Sequence, residues 1–130
     1  MLSTISKLTT SPDKKSAVAL KAFFAITQKW GLSNDQESIL LGTPLSTLYR
    51  WKSKKQGSLT KDQLERISYI LGIYKALRIL LPSEALANKW IKTPNTAPLF
   101  NGHSALDKLM KGHVIDLADI RRYLDAERGW

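Results

Sequence analysis

Three consecutive residues, Gly42-Thr43-Pro44, restrict what this chain can fold into more than any other feature. They divide the segment from Asn34 to Lys55 into two short runs. Ile39, Leu40 and Leu41 close a first helix just before them. Glycine adopts a positive φ without steric cost, so Gly42 lets that helix stop abruptly. Thr43 suits an N-cap. Pro44 suits the first turn of the next helix, where its missing N–H costs nothing. That second helix, expected over 44–54, carries Leu45, Leu48 and Trp51 at i, i+3 and i+6, a narrow stripe for burial. Its other face shows Ser46, Thr47, Tyr49, Arg50 and Lys52.

Two short helices around a sharp corner form the pattern of a helix-turn-helix, with the second helix as the reader of DNA. A small residue at Ser38, glycine at Gly42 and a branched apolar residue at Leu48 let two helices cross closely. A plain helical corner could show the same three residues. The exposed polar face, with Arg50, Lys52, Lys54 and Lys55 inside six positions, favours a DNA reader, since a purely structural corner does not need it. Ser46, Thr47, Tyr49 and Arg50 are the candidates for base edges. Lys52, Lys54 and Lys55 are the candidates for phosphates, and Thr43 at the corner completes the DNA-facing set.

Charge supports this and localises it. The chain carries a net +9, and residues 1–80 hold thirteen Lys/Arg against five Asp/Glu, whereas residues 81–130 hold seven against six. The basic excess therefore lies with the corner. Such a field favours a polyanion through counterion release, although RNA or a membrane surface would also satisfy it. The absence of cysteine excludes disulfides and thiolate metal sites. Neither a signal-peptide core nor an apolar run of membrane-spanning length occurs, so a soluble, cytoplasmic protein is expected.

The remaining chain reads as helical throughout. Residues 1–13, Ser/Thr-rich and ending Ser11-Pro12-Asp13, are expected to be a flexible arm. A helix over 14–30 places Val18, Phe23, Ile26 and Trp30 on an apolar face widened by Ala17, Leu20, Phe24 and Ala25, and Gly31 ends it. Ser33 caps the next helix. Thr60 and Gln63 form a capping box opening a long helix over about 60–81. Leu64, Ile67, Ile70, Leu71, Tyr74, Leu77 and Leu81 keep helical spacing there, while Ile73, Ile79 and Leu80 fall outside that seam. A helix apolar on more than one side needs a second surface, from a C-terminal unit, another subunit or both. A short helix over 83–91, an irregular stretch over 92–102 anchored by Leu99 and Phe100, a helix over 104–111 and a last helix over 115–127 follow. The division expected is an arm over 1–13, a helix-turn-helix and dimerisation unit over 14–80, and a small helical unit over 81–130.

Catalytic chemistry finds no support. His103 and His113 flank one short helix, and no carboxylate or thiol stands at metal-ligand spacing. No nucleophile lies beside a base, so no cofactor, metal or enzyme activity is expected. Asp119 and Arg122 read as a surface pair. The terminal Arg128-Gly129-Trp130 leaves two readings open: the indole folds onto its own core, or it anchors in a partner.

The run Trp90…Thr93-Pro94-Asn95…Leu99-Phe100…Gly102…Leu106…Leu109…Gly112…Ile120…Leu124…Gly129 resembles the toxin-binding region of the Xre/MbcA/ParS antitoxin family. Residues 14–60 resemble the family's Xre-type helix-turn-helix. Two positions depart from the pattern: Asn101 replaces a glycine, and Ala105 a proline. The resemblance implies an all-α type II antitoxin that occludes a RES-domain, NAD-consuming toxin and represses its own operon. It implies toxin contacts at Leu99, Phe100, Asn101, His103, Arg121, Arg128 and Trp130, and a homodimer setting two reading helices about 34 Å apart on operator DNA. The rival expectation is a stand-alone repressor whose C-terminal unit dimerises or senses a ligand.

Overall fold

The chain adopts the all-α architecture expected of it. The computed structural model describes residues 12–55 and 57–129. Seven helices follow one another among them: α1 (Pro12–Lys29), α2 (Asn34–Leu41), α3 (Leu45–Lys54), α4 (Lys61–Leu80), α5 (Glu84–Trp90), α6 (Ala105–Leu109) and α7 (Val114–Glu127). No strand occurs among the described residues; Pro94 and Ser104 form an isolated antiparallel bridge. The expected arm lies outside the described residues as far as residue 11. Helix α1 starts two residues earlier than expected, at Pro12. Trp130 also lies outside the described residues.

Helix starts follow the capping chemistry of the sequence. The Ser33 hydroxyl accepts from the Gln36 N–H at 3.2 Å, and the Gln36 side chain accepts from the Ser33 N–H at 2.8 Å. Thr60 and Gln63 make the same reciprocal pair ahead of α4, and Ser104 and Asp107 make it ahead of α6. Each box satisfies two N–H groups that the helix itself cannot. The α2–α3 corner closes differently from expectation. Gly42, at φ +70°, ends α2, and the Thr43 N–H donates back to the Ser38 carbonyl at 3.1 Å. This six-to-one closure is a Schellman arrangement. It takes up the Thr43 backbone, so Pro44 rather than Thr43 is the N-cap of α3, with no side-chain bond.

Helix α4 is the axis of the fold. It packs against α7 most extensively, then α1, α5 and α2. Ile67, Ile70, Ile73 and Leu77 are fully buried along it. Ile73, outside the expected seam, is buried all the same, while Leu71, counted within the seam, is exposed. The second surface that α4 requires is largely α7, which presents Leu117, Ile120 and Leu124. On α1 the buried stripe is Ser16, Leu20, Phe23, Thr27 and Trp30, with Ile26 beside it. Val18, expected in that face, is 67% exposed, because 100° per residue places it on the far side from Ser16. One apolar cluster runs from Leu20 through α4 to Leu124, so residues 14–80 and 81–130 share a core.

Two aromatic contacts fix the loops. The backbone of Gly57 lies against the Trp51 indole, where a Cβ would stand 2.6 Å from the ring. Phe100 is 3% exposed and meets Trp90 and Tyr123 edge-on, at centroid distances of 5.6 and 5.1 Å. Gly57→Ala should therefore destabilise the chain by about 1–3 kcal/mol through overpacking. Phe100→Ala should cost about 3–5 kcal/mol through lost burial and a cavity. Urea titrations followed by tryptophan fluorescence measure both, and an unchanged midpoint would contradict these packing assignments.

Candidate functional site

Helix α3 lies over the body on Leu48 and Trp51, both buried, and on half-buried Leu45. Ser46, Tyr49, Arg50, Ser53 and Lys54 are exposed together along the opposite side, at helical spacing. No acidic residue occurs in α3, and its last turn is basic. Thr47 is half-buried at the edge of this face. Thr43 is buried behind the corner, so its side chain does not share the exposed surface. Lys55 follows α3 at φ +55° and is exposed.

Lys52 departs from its companions. Its ammonium sits 2.5 Å from Glu37 Oε1 and donates to Asn34 Oδ1 at 2.6 Å. It also lies over the Phe24 ring, 5.1 Å from the centroid. Glu37 is 3% exposed, and its other oxygen accepts from the Thr27 hydroxyl at 2.5 Å. A buried carboxylate is tolerated only when paired and hydrogen-bonded. Lys52 thus ties α3 to α2 and α1, and its charge is engaged inside the motif. This network escaped the sequence reading. The available sign was Glu37 itself, at i−3 and i−4 from Leu40 and Leu41, which puts a carboxylate in the buried stripe of α2.

Helix α4 supports the corner from below. Gln63 donates to the Gly42 carbonyl at 3.4 Å, and Arg66 to the Leu40 carbonyl at 3.4 Å. These bonds serve carbonyls that the end of α2 leaves open. Arg66 also presses on Gly42, where a Cβ would lie 3.2 Å from its guanidinium carbon. Glycine is required there by the backbone angle and by this contact together. A groove between α1 and α3, about 990 Å³ and floored by Leu20, Phe24 and Trp51, was likewise not foreseen.

In the C-terminal half, residues 91–104 form a closed tongue. The Asn95 N–H donates to the His103 carbonyl at 3.0 Å, and the Gly102 N–H to the Asn95 carbonyl at 2.9 Å. The Asn95 side chain accepts from the Ala97 N–H at 2.8 Å. Asn101 adopts φ +49° at the turn. Asparagine tolerates that left-handed geometry better than other side-chain-bearing residues, which explains how it stands in for glycine there. Leu99, Phe100, Asn101 and His103 line one pocket of about 360 Å³ with Asp107, Lys108 and Lys111. Phe100 contributes from the core, whereas Asn101 and His103 are exposed. Burial pulls the Lys108 ammonium's pKa down, but hydrogen bonds and charge from Asp116 and Asp119 raise it overall.

The other expected toxin contacts lie elsewhere. Arg121 covers Gly72 of α4, where a Cβ would meet its guanidinium at 1.7 Å, and pairs with Asp125 at 3.1 Å. The Arg128 side chain is only 8% exposed and turns toward Asp125 at 3.7 Å. Both arginines are thus folded against α7. Arg122 stays exposed and pairs with Asp119 at 3.4 Å, the surface pair expected. Among the described residues, no group of three or more His, Asp or Glu is arranged to hold a metal. Among them too, no helix is long and apolar enough to cross a membrane.

Comparison with known proteins places both halves. Residues 14–72 match the antitoxin Xre-like helix-turn-helix domain. Residues 76–129 match the antitoxin Xre/MbcA/ParS C-terminal toxin-binding domain. A relative in Sinorhizobium fredii (strain NBRC 101917 / NGR234), the "Uncharacterized protein y4oB", is 48% identical over 123 residues, which cover 92% of this chain and 93% of the relative. Neither matched domain is a catalytic one. With a DNA-binding motif of the antitoxin type in its first half and a toxin-binding domain in its second, the chain belongs to the Xre/MbcA/ParS antitoxins of toxin–antitoxin systems.

Proposed function

We propose that this antitoxin neutralises a RES-domain, NAD-consuming toxin by covering its active site, and represses its own operon as a homodimer. The observation that carries the DNA half is the acid-free exposed face of α3. Ser46, Tyr49 and Arg50 meet base edges, with Thr47 at the margin. Lys54 and Lys55 meet phosphates, and Lys52 holds the reading helix in place. Lys55 adds support. A lysine at positive φ costs about 1–2 kcal/mol that glycine would avoid. A lysine in that conformation fits a need for charge at that position. Leu71, Ile79 and Leu86 remain exposed on α4 and α5, apolar surface that a second copy would cover.

For the toxin, the tongue is the better contact surface. Leu99, Asn101 and His103 share a pocket in a loop closed by backbone hydrogen bonds, with Phe100 as its internal anchor. Of the two readings its sequence leaves open, Trp130 is assigned the anchor in the partner. The RES class rests on the partner usual for the family.

Five outcomes test this reading. Wild type should bind its own promoter more tightly than random duplex at matched salt, and equal binding would contradict sequence reading. Arg50→Ala should cost about 1–3 kcal/mol on the promoter alone. Lys54→Ala should lower the slope of log K against log salt by about 0.9 on either DNA. Lys52→Ala should instead lose about 1–3 kcal/mol of folding stability in urea, since it strands a buried carboxylate. The double variant Leu99→Asp/His103→Asp should lose co-purification of the neighbouring toxin while DNA binding persists. Full toxin capture by that variant would remove the tongue from the interface.

A further inference from the structure

A basic pocket lies where the two halves of the chain meet, lined by no residue of α3. It has a volume of about 360 Å³ and is lined by Lys29, Trp30 and Gly31 at the end of α1 and by Asn88, Lys89 and Lys92 around the end of α5. We propose that this pocket seats a backbone phosphate of the same DNA that α3 reads, so that the toxin-binding half contributes directly to the grip on DNA. The inference rests on the DNA-binding reading above and extends it to residues outside the helix-turn-helix.

Two features mark the pocket as more than a cluster of surface lysines. Trp30 is 2% exposed, and its indole N–H has no hydrogen-bond partner. The side-chain oxygen of Asn88 is buried and equally unpartnered. Buried polar atoms are nearly always satisfied, so two orphans in the wall of one basic pocket point to a missing polar occupant. Both atoms are enclosed in the unbound chain, so a phosphate oxygen reaches the indole N–H, and a water carried with it reaches the Asn88 oxygen, only as the side chains around the pocket give way. The Lys92 ammonium donates to the Gly31 carbonyl at 2.8 Å and keeps two further protons for an anion. Lys89 is exposed at the rim. Lys29 is engaged by the Tyr74 hydroxyl and by Glu84, both at 3.1 Å, and adds charge rather than a free donor. Those two groups raise its pKa, the Tyr74 bond most.

Position selects DNA as the source of the phosphate. Gly31 lies three residues before Asn34, the first residue of α2. At 3.8 Å per residue the pocket is within about 11 Å of that helix start. Asn34 is itself hydrogen-bonded to Lys52 of α3. In a helix-turn-helix the first helix crosses the phosphate backbone while the second enters the groove. The N-terminal end of α2 favours negative charge through its dipole, and the pocket extends that end with cations from the second half. Asp35 is exposed in the same turn and opposes this field. Lys89 and Lys92 outnumber it.

The test uses the full chain and the charge-removing variant Lys89→Gln/Lys92→Gln, whose new amide at position 92 keeps an N–H donor for the Gly31 carbonyl. Promoter and random duplex are titrated from 50 to 200 mM salt. The slope of log K against log salt should fall by about 1, equally on both duplexes, with the urea midpoint unchanged. Asn88→Asp, which puts a carboxylate into the pocket, should weaken both duplexes further. An unchanged slope in the double variant, beside a lowered slope in Lys54→Ala, would overturn the inference and leave the DNA reading intact. Failure of wild type to bind any duplex would overturn both. Titrating inorganic phosphate alone at constant ionic strength should leave the tryptophan fluorescence unmoved. Saturation at micromolar phosphate would make this a site for a free anion and not for DNA.

Discussion

Helix α4 is apolar on two sides, and the rest of the chain is arranged to cover it. Ile67, Ile70, Ile73 and Leu77 disappear completely from solvent, each worth about 1.5–3 kcal/mol of burial. No single neighbour can cover both sides of a helix. Helix α1 covers one and α7 the other, so the helix-turn-helix and the toxin-binding half are completed by the same twenty residues. A helix is marginal alone in water because its first turn is costly to nucleate, and packing of its apolar surface supplies most of its stability in a protein. Here that requirement joins the two functional halves into one body.

Within the first half, orientation of α3 depends on a buried charge. Glu37 is taken out of water, held by Lys52 and Thr27, and bridges the three helices of the motif. Replacing such a pair by apolar residues is often neutral for stability, whereas breaking it is costly. Its value lies in geometry. With Lys52 drawn inward, the outward face of α3 keeps Ser46, Tyr49, Arg50 and Ser53 exposed, followed by Lys54 and Lys55. The pocket at Trp30 then continues the positive surface past α2 into the second half.

Much of this was legible from the residues alone. Capping side chains announced α2 and α4, because Ser, Thr and Gln satisfy helix ends through local bonds that sequence spacing encodes. Gly42 announced the corner through its tolerance of a positive φ. What escaped is non-local. Val18 counts as apolar in any periodicity sum, yet its side is decided by where α4 lies. Arg121 and Arg128 look like surface arginines until Gly72 and Asp125 are seen to receive them. Phe100 was read both as a loop anchor and as a toxin contact, and its ring is enclosed by Trp90 and Tyr123. Lys52 shares a face with Tyr49 by sequence, but a carboxylate fifteen residues earlier redirects it. The match of both halves to antitoxin domains fits the organisation legible in the sequence. The identity of the toxin depends on a surface that only its partner completes.

The shared core is the claim on which the account stands, and native-state hydrogen exchange of the full chain in rising urea tests it most directly. The slowest amides of α1, α4 and α7 should converge on one unfolding free energy and one urea dependence. Amides of α7 that exchange through a separate, much cheaper opening, while α1 and α4 stay protected, would mean two independently folded halves and would contradict it.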